Sequence, residues 1–294
     1  MDNKKRTIIQ GIAVLVQNAN FKGFFTGKIY EGASKQVCVP GLNCYSCPGA
    51  VGACPIGALQ NTISGFQFKF PYYVLGLLIF FGAILGRIVC GFLCPFGFLQ
   101  DMLHKIPFPK KIKSFQGDRL LRKLKYFVLL LMVIILPVFI KLTPVYCKYL
   151  CPSGTLSGVL LAVTDTALFG ALGKLFTWKF SLLIIIIFGS IMIYRPFCKY
   201  LCPLGAFYAL FNKVSVVQLC VDKEKCTNCR RCRNVCDMCV NPAENPADLE
   251  CIRCGKCVHS CPTNALYFVP NRKRMGKVSK QTENTVPNGE DELK

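Results

Sequence analysis

Long apolar runs separated by short polar loops dominate the first 212 residues of the chain. Three of these runs are long enough for a membrane-spanning helix: Phe70–Gly86, Tyr126–Tyr146 and Leu175–Tyr194. A helix of about 20 predominantly apolar residues crosses the hydrocarbon core of a bilayer. The pattern therefore predicts a mostly α-helical protein with several transmembrane helices. Buried helices of a soluble protein are the alternative, but FVLLLMVIILPVFI is uniformly apolar rather than amphipathic.

Two further segments are weaker span candidates. Thr7–Phe25 either spans or lies along the membrane interface, because polar side chains interrupt it at Gln10, Gln17, Asn18, Asn20 and Lys22. Thr155–Gly173 is moderately apolar, but it contains Asp165 and several glycines and threonines. We expect that this second segment does not cross.

The distribution of basic residues predicts the orientation. Eight lysines and arginines lie within the 21 residues 105–125, against four within the 39 residues 141–179. Cytoplasmic loops of membrane proteins are enriched in lysine and arginine, so residues 94–125 are expected in the cytoplasm and residues 141–179 outside it. Leu175–Tyr194 then returns the chain. The prediction is a multi-pass cell-membrane protein whose C-terminal region, from residue 198, is cytoplasmic.

Composition adds metal chemistry to this picture. The 294 residues include 20 Cys but only 2 His, and 36 Lys and Arg stand against 15 Asp and Glu, a net charge of +21 with neutral thiols. Two histidines leave little room for bis-histidine haem or a histidine-rich zinc site. Bound thiolates would offset part of the positive charge. No nucleotide-binding glycine loop, nucleophile triad or nucleic-acid module is present, so neither catalytic residues nor a nucleic-acid partner is predicted.

A short cysteine motif, CP-x-G, recurs four times in the helical part. In three copies a second cysteine lies four residues earlier; the motif cysteines are Cys54 and the pairs Cys90/Cys94, Cys147/Cys151 and Cys198/Cys202. A spacing of four places two thiols on one helical face. Proline removes an amide donor next to the ligand, and glycine permits close backbone approach. This pattern predicts ligands of a metal cluster.

Two copies of the motif also share an arginine. Arg87 and Arg195 each lie three residues before the first cysteine of their motif, at the expected cytoplasmic end of a span. We expect one [4Fe–4S] cluster on the inner side, held by Cys90, Cys94, Cys198 and Cys202. Arg87 and Arg195 are then cofactor-binding residues that offset its negative charge. Positive-inside anchoring is the alternative for the arginines, and packing of unligated thiols is the alternative for the cysteines.

Six other cysteines fall on the expected outer side: Cys38, Cys44, Cys47, Cys54, Cys147 and Cys151. Because CP-x-G recurs among them, four are expected to hold an outer [4Fe–4S] cluster. The other two would form a disulfide or stay free. Disulfides compete with metal binding in this compartment, and the spacing does not identify the four ligands.

The C-terminal cysteines carry the most specific pattern. The sequence C-x2-C-x2-C-x3-C occurs twice, at Cys226/Cys229/Cys232/Cys236 and at Cys251/Cys254/Cys257/Cys261. In two-cluster ferredoxins the fourth cysteine of each run serves the other cluster. One [4Fe–4S] cluster is therefore expected on Cys226, Cys229, Cys232 and Cys261, and a second on Cys251, Cys254, Cys257 and Cys236. Zinc is the alternative. Cys220 and Cys239 are expected to be ordinary buried thiols.

These features predict four regions. Residues 1–69 form an N-terminal segment with the weak first helix and an extracytoplasmic cysteine-rich loop. Residues 70–212 form a transmembrane electron-transfer domain. Residues 213–270 form a small α+β ferredoxin domain with strands at Val214–Val221 and Leu266–Val269. Residues 271–294 form a polar, disordered tail, in which Asn271–Lys280 is basic.

GRIVCGFLCPFG, RPFCKYLCPLG and the double ferredoxin run resemble the membrane-bound polyferredoxins of the NapH type, which are related to part of the NosR-type regulators. The resemblance covers roughly residues 65–270. It implies electron transfer between a cytoplasmic or quinone-level donor and an extracytoplasmic acceptor, of which a flavoprotein is one candidate. The N-terminal run CVPGLNCYSCPGAVGACPIGALQ departs from the members that serve nitrate reductase, so their physiological role is not carried over.

We therefore expect a membrane-bound electron conduit, a non-catalytic subunit of an oxidoreductase complex, with the lipid bilayer and redox proteins as partners. The hydrocarbon core is about 30 Å thick, so clusters at opposite faces must be sunk into the protein or bridged by a partner.

Two alternative functions stay open. One is a quinol dehydrogenase subunit in which Gln100, Asp101 and His104 transfer protons. The favoured interpretation of these three residues is that they are simply polar residues at a helix end beside a loop. The other is a cluster-based redox sensor or assembly factor.

Overall fold

The computed structural model describes residues 3–65, 71–109, 111–140, 143–164 and 173–270. Within these ranges the chain is mostly helical up to residue 213, and a small two-stranded sheet follows. The mostly α fold with a ferredoxin-type C-terminal part is therefore confirmed. The predicted disordered tail 271–294, its basic part Asn271–Lys280 and Asp165 lie outside the described residues.

The α-helices are, in chain order, α1 (Asn3–Gln17), α2 (Phe21–Thr26), α3 (Pro55–Ile63), α4 (Tyr72–Leu85), α5 (Ile88–Phe92), α6 (Pro95–Lys105), α7 (Asp118–Val128), α8 (Leu136–Phe139), α9 (Val145–Tyr149), α10 (Pro152–Thr164), α11 (Lys174–Met192), α12 (Pro196–Tyr200), α13 (Pro203–Leu210), α14 (Arg231–Val235) and α15 (Lys256–His259). A π-helical turn spans Leu129–Ile135, and 3₁₀ turns span Ala33–Gln36 and Phe211–Lys213. The strands are β1 (Gln218–Val221) and β2 (Leu266–Val269).

Each CP-x-G motif starts a helix at its proline. Helices α3, α6, α10 and α13 begin directly after Cys54, Cys94, Cys151 and Cys202. Proline suits the first helical position, because its missing N–H would have no intrahelical partner there. The sequence spacing predicted that the paired cysteines share one helical face, and this prediction is wrong. The first lies in a short helix, and the second lies in the turn that follows, where Cys94 has extended backbone angles.

Among the described residues, α11 is the helix long and apolar enough to cross a membrane, with 19 residues and a mean hydropathy of 2.0. Its side chains are largely exposed, as Ile185 at 64% and Phe188 at 65% show. Helix α4 covers the predicted first span with only 14 residues, a length of about 21 Å at 1.5 Å per residue. It ends at Leu85, and the next residue, Gly86, has a φ of +56° that turns the chain toward Arg87.

The helix observed at the predicted middle span, Tyr126–Tyr146, differs from the prediction in its position and in its regularity. One helical run extends from Asp118 to Phe139 and passes through the π-helical turn. Pro137 removes an amide donor from this run. The Gln60 side chain donates a hydrogen bond to the Met132 carbonyl at 2.8 Å. A side chain that captures a helical carbonyl in this way is a recognised cause of helix irregularity.

The N-terminal segment is not one helix from Thr7 to Phe25, because α1 ends at Gln17. Its polar residues face the protein: the side-chain amides of Gln10 and Gln17 donate to the carbonyls of Gly91 at 2.9 Å and Leu93 at 2.7 Å. The Gly91 carbonyl lies near the end of α5, and the Leu93 carbonyl lies in the turn between α5 and α6. The opposite face of α1 exposes apolar side chains at Ile8, Ile9, Ile12, Leu15 and Val16.

The C-terminal part is built on an antiparallel pair of strands, with Gln218 opposite Val269. The first strand begins at Gln218 rather than at Val214. The buried Arg253 guanidinium donates to Ser215 Oγ at 2.6 Å and to the Asn212 carbonyl at 2.5 Å. This arginine fastens the second cysteine run to the end of the helical part.

Candidate metal centres

The inner set of thiols comes together in the core. Cys90, Cys94, Cys198 and Cys202 are all buried, and each is within electrostatic range of the others. Cys90 and Cys198 lie in the short helices α5 and α12, and Cys94 and Cys202 lie in the turns that follow them. The Gly205 amide donates to Cys202 Sγ at 3.4 Å, which places that sulfur at the N-terminus of α13. The sequence grouped these four correctly in space, and their binding of a cluster stays a prediction.

Two fully buried arginines flank this set. The Arg195 guanidinium donates to both Asp101 carboxylate oxygens, at 2.7 and 2.6 Å, and to the Cys90 carbonyl at 2.5 Å. Arg87 pairs with Glu250 at 3.0 Å. Its Nε and Nη2 atoms are buried without a hydrogen-bond partner, and the guanidinium interacts electrostatically with Cys90. Unpartnered donors beside thiols fit an anionic group with acceptor sulfurs, as a thiolate-bound iron–sulfur cluster has.

Gln100 and Asp101 belong to this site, which corrects their interpretation as polar residues at a helix end. They lie within α6, and Gln100 is fully buried. The Gln100 amide donates to Cys198 Sγ at 3.0 Å, and its carbonyl accepts from the Phe197 amide at 3.2 Å. Asp101 accepts from Arg6, Gln10 and Arg195. This arrangement is not visible in the local sequence, because the partners of Asp101 come from α1 and from the turn between α11 and α12.

The ion pairs at Asp101 fix its charge. Burial alone would raise the pKa of this carboxyl group, but the guanidinium groups of Arg195 and Arg6 hold it well below its usual range. His104 is partly buried, and its Nδ1 lies 3.2 Å from the Ser190 carbonyl oxygen. Asp101 is therefore committed to ion pairing, and His104 is hydrogen-bonded to a helix carbonyl.

The structure also brings together four of the six outer candidates. Cys44, Cys54, Cys147 and Cys151 are within electrostatic range of one another. The motif glycines explain how closely they pack: a Cβ at Gly57 would lie 3.8 Å from Cys147 Sγ, and a Cβ at Gly154 would lie 3.8 Å from Cys44 Sγ. We call Cys44, Cys54, Cys147 and Cys151 the outer set.

Cys38 and Cys47 are less closely grouped: Cys47 interacts electrostatically with Cys44 of the outer set, whereas burial alone perturbs Cys38. The Cys38 backbone pairs with Ala53, and Cys47 Sγ lies 3.8 Å from the Asn18 side-chain oxygen. All the described cysteines are free thiols, so neither residue forms a disulfide. Two lysines accompany the outer set, where the inner set has arginines. Lys35 is buried within electrostatic range of Cys47 and Cys44, and Lys179 Nζ lies 3.3 Å from the Cys147 carbonyl.

A glutamine missed in the sequence explains how the motifs pair. Gln60 and Gln100 each lie six residues after a motif cysteine, within the shared pattern CP-x-G-x-L-Q. The Gln60 carbonyl accepts from the Cys147 amide at 3.2 Å, just as the Gln100 carbonyl accepts from the Phe197 amide. Each glutamine thus joins its motif to the partner motif that completes the set. This signal was readable in the sequence.

The inner and outer sets contribute to one buried core. Tyr146 is within electrostatic range of Cys54, Cys147, Cys151 and also Cys202. Tyr208 is within range of Cys54 and of three inner cysteines, and its hydroxyl donates to the Pro40 carbonyl at 3.0 Å. A Cβ at Gly41 would lie 2.9 Å from the Cys94 Cα. The N-terminal cysteine-rich loop therefore contacts the motif that contains Cys94.

The ferredoxin cysteines divide into the two crossed sets that the sequence predicts. One small cavity is lined by Cys226, Cys229, Cys232 and Cys261. A second is lined by Cys236, Cys251, Cys254 and Cys257. The loops around them contain residues with left-handed backbone angles, including Asn228, Arg230 and Arg253. We call the first group, Cys226, Cys229, Cys232 and Cys261, the distal set. The second group, Cys236, Cys251, Cys254 and Cys257, is the proximal set.

Cys220 is buried in β1, as expected, but Cys239 is not an ordinary buried thiol. It is partly exposed, with a φ of 55°, and its thiol donates to the Lys113 carbonyl at 2.9 Å. In the part of the chain that the structure describes, no three cysteine, histidine or acidic side chains are close enough to share one metal ion. A cubane has a wider cage, in which each thiolate binds a different iron.

Comparison with known proteins finds 4Fe-4S binding domains along the chain. The family model described as a 4Fe-4S binding domain matches residues 52–73, 70–115, 124–165 and 175–219, and a second 4Fe-4S binding-domain model matches residues 248–267. An uncharacterised protein of Methanocaldococcus jannaschii is 33% identical over 201 residues, covering 66% of this chain and 76% of the relative. No solved structure matches the chain.

Two relatives carry descriptive names. Ferredoxin-type protein NapH of Haemophilus influenzae is 27% identical over 211 residues, 65% of this chain and 66% of its own length. Methylamine utilization ferredoxin-type protein MauN of Paracoccus denitrificans is 29% identical over 186 residues, 62% of this chain and 60% of its own length. The matched 4Fe-4S domains extend along the chain, so it holds multiple [4Fe–4S] clusters.

Proposed function

Because the chain belongs to the family of NapH-type 4Fe-4S polyferredoxins, we propose that it conducts electrons through a membrane. The iron–sulfur electron-transfer role follows from the family. The proposed path runs from the distal and proximal sets through the inner set to the outer set, between cytoplasmic clusters and a partner at the opposite side or at the quinone level.

The observation that carries this proposal is the continuity of the four thiol sets. The proximal set adjoins the inner one: a Cβ at Gly91, next to Cys90, would lie 2.7 Å from the Ile252 carbonyl oxygen, next to Cys251. Tyr146 and Tyr208 lie between the inner and outer sets. Each tyrosine is within electrostatic range of cysteines from both sets, which supports short steps along the path.

When bound, [4Fe–4S] clusters supply one-electron chemistry over potentials of about −700 to +450 mV. The residues of the chain hold and bury this group. Arg87 and Arg195 place positive charge beside the inner thiols, and Gln100 donates to one of them. The exposed apolar faces of α1 and α11 support a bilayer around the helical part.

Anaerobic purification followed by iron and sulfide analysis tests the ligand sets. Four clusters correspond to about 16 irons per chain. We expect Cys151→Ala to lose about four irons, since it removes a member of the outer set. Cys38→Ala is the matched control and should keep the full iron content. Zinc in place of iron, or equal losses in both variants, would contradict the assignment.

Transport is tested in sealed proteoliposomes that enclose ferricyanide. An external low-potential reductant should bleach the enclosed ferricyanide with the intact protein and not with Cys151→Ala. Clusters that are reduced normally without any transfer across the bilayer would instead indicate a redox sensor or assembly factor.

A second candidate function, quinol oxidation, is favoured by one cavity. An apolar cavity of about 320 Å³ lies between the cysteine loop and the start of α6, lined by Phe21, Phe24, Leu42, Phe96 and Met102. Apolar walls with a few polar groups are typical of sites for ring-shaped ligands. Gln100, Asp101 and His104 do not line it, so they are not its proton carriers. Quinol-dependent reduction of the clusters that Leu42→Trp abolishes, and that Leu210→Trp at an exposed site preserves, would support this function.

A further inference from the structure

A cleft of about 1040 Å³ opens where the helical part meets the ferredoxin part. One wall is the loop before α7 and the first turns of α7 itself. The other wall is α14 and the loop from Asn241 to Asp248, and the floor includes Cys236 and Glu250. Cys236 belongs to the proximal set, so whatever occupies the cleft lies against a predicted cluster ligand.

The rim of this cleft is strongly cationic. Five exposed cations line it and form no ion pair within the described residues: Lys113, Arg119, Lys123, Lys213 and Arg233. The buried acids of the lining are neutralised from behind. Asp118 pairs with Arg122 and Lys199, and Glu250 pairs with Arg87 and Lys125. Two less buried acids also line the cleft, the exposed Glu244 and the partly buried Asp248. Five cations outside ion pairs against these two acids leave the rim with an excess of positive charge for an external partner.

The cations that line the cleft lie on a different face of α7 from the apolar residues that a lipid bilayer would contact. Arg119, Arg122, Lys123 and Tyr126 line the cleft, and their spacing places them on one face of α7. Apolar residues of the same helix are exposed elsewhere, at Leu120, Leu121, Leu124 and Phe127. A membrane would contact that apolar side. The charged side faces the ferredoxin part and is not explained by binding to anionic lipid.

The floor offers a free donor beside this charge. The Tyr126 hydroxyl is buried without a hydrogen-bond partner, and Tyr126 interacts electrostatically with Glu250 and Arg87. The cations come from separate elements, α7, α14, the loop before α7 and the 3₁₀ turn, and they surround the opening instead of converging on one point. An extended acidic protein surface meets such a rim better than a single phosphate group does.

We propose that this cleft is the docking site of an acidic protein electron carrier, which exchanges electrons with the cluster of the proximal set. The inference rests on the proposed function and adds the class of partner and the point of entry. One electron leaves the reduced carrier and one oxidised cluster gains it, with no transfer of atoms. Complementary charge raises the rate of such encounters by about 10- to 1000-fold at low salt.

The distal set provides a rival entry and a matched control. Its exposed Cys229 is flanked by Lys223, Lys225 and Arg231, which are also exposed. Acidic neighbours lie among these cations, and Lys225 is 3.6 Å from Asp222. Reversing three charges at either place changes the net charge of the protein equally, so only position differs between the two variants.

The test uses the full-length protein in nanodiscs and chemically reduced flavodoxin, a small acidic carrier, in stopped-flow experiments. We expect the triple variant Lys113→Glu/Arg119→Glu/Lys123→Glu to lower the second-order rate of cluster reduction about tenfold or more at low salt. Glutamine at the same three positions should give a smaller loss. The control Lys223→Glu/Lys225→Glu/Arg231→Glu should stay within about twofold, and all rates should converge in high salt.

Photoreduced deazariboflavin, a neutral reductant, distinguishes a failure of the proposed electron-transfer function from a failure of the proposed docking site. If it reduces no cluster in the wild-type protein, the proposed function fails. If it reduces all variants equally and the cleft variant reacts normally with flavodoxin, the docking site is refuted. A larger loss in the control variant would assign entry to the distal set. Loss of binding to vesicles of anionic lipid, with an unchanged rate, would assign the cleft to the membrane.

Discussion

Gln100 is expected to raise the reduction potential of the inner cluster. Its amide donates to Cys198 Sγ at 3.0 Å inside a fully buried site. Reduction adds negative charge to the cluster and its thiolates, so a donor to a thiolate stabilises the reduced form more than the oxidised form. Gln100→Leu removes this donor and keeps an apolar side chain of similar length. The midpoint potential of the inner cluster should therefore fall.

The size of the fall follows from the energy of the bond. A hydrogen bond to a charged group contributes about 1.5–3 kcal/mol. If about 1 kcal/mol of this depends on the redox state, the potential falls by about 40 mV, since 1.4 kcal/mol corresponds to about 59 mV for a one-electron couple. A redox titration followed by EPR measures this shift. The inner signal is identified by its loss in Cys198→Ala.

Gln60→Leu is the matched control. Gln60 holds the same place in its motif, but its amide donates to the Met132 carbonyl and not to a thiol. This substitution loosens the pairing of two motifs and should leave the inner midpoint within about 10 mV, well under the 59 mV of a tenfold change. The reasoning is refuted if Gln100→Leu leaves the inner midpoint unchanged or raises it, or if both variants shift it equally.

Three further predictions concern stability, followed through the temperature or pH at which the visible cluster absorbance is lost. Gly91→Ala should lower the thermal midpoint, because the new Cβ would lie 2.7 Å from the Ile252 carbonyl oxygen and overpacking costs about 1–3 kcal/mol. The control Gly11→Ala should leave the midpoint unchanged, since its Cβ would have nothing within 4 Å. Equal midpoints in the two variants would contradict the close contact at Gly91. Arg195→Ala leaves the buried Asp101 without its bidentate partner and should cost about 3–5 kcal/mol, whereas Lys225→Ala at an exposed pair should cost under about 1 kcal/mol. Burial favours protonation of Glu250, but Arg87 and Lys125 hold its pKa below the ordinary 4.5. The stability from these pairs is then fully present above pH 4.5 and lost as the pH falls through the lowered value. Glu250→Gln should therefore flatten the acid side of the stability profile, and the exposed Glu244→Gln should leave it unchanged.

The ferredoxin sets and the inner set could be grouped from the sequence because their signals are local. Two runs of fixed spacing define the crossed sets, and an arginine three residues before Cys90 and before Cys198 links these two motifs. The outer set lacks such a signal. Cys38, Cys44, Cys47 and Cys54 lie within 17 residues of loop, and long-range packing against α9 and α10 decides which of them turn inward.

The errors have a common physical origin. Gln10, Gln17, Gln100 and Asp101 were interpreted from hydropathy alone, which treats a polar residue as an interruption or as a surface group. In the structure these side chains hydrogen-bond buried carbonyls, thiols and guanidinium groups from distant segments. Buried polar groups require such partners, and partners far apart in the chain are not visible in a window of sequence.

Placing the inner and outer sets in one core has an electrostatic consequence. Thiolate-bound clusters carry negative charge, so two of them near each other repel, and burial strengthens the repulsion by lowering the effective dielectric constant. Cations lie beside each set: the fully buried Arg87 and Arg195 at the inner thiols, and the buried Lys35 with the partly buried Lys179 at the outer thiols. Arginine keeps its charge in any environment, whereas lysine loses a proton more readily when buried. The two sets therefore differ in how firmly their compensating charge is held, and the inner arginines, locked by Glu250 and Asp101, give the firmer compensation.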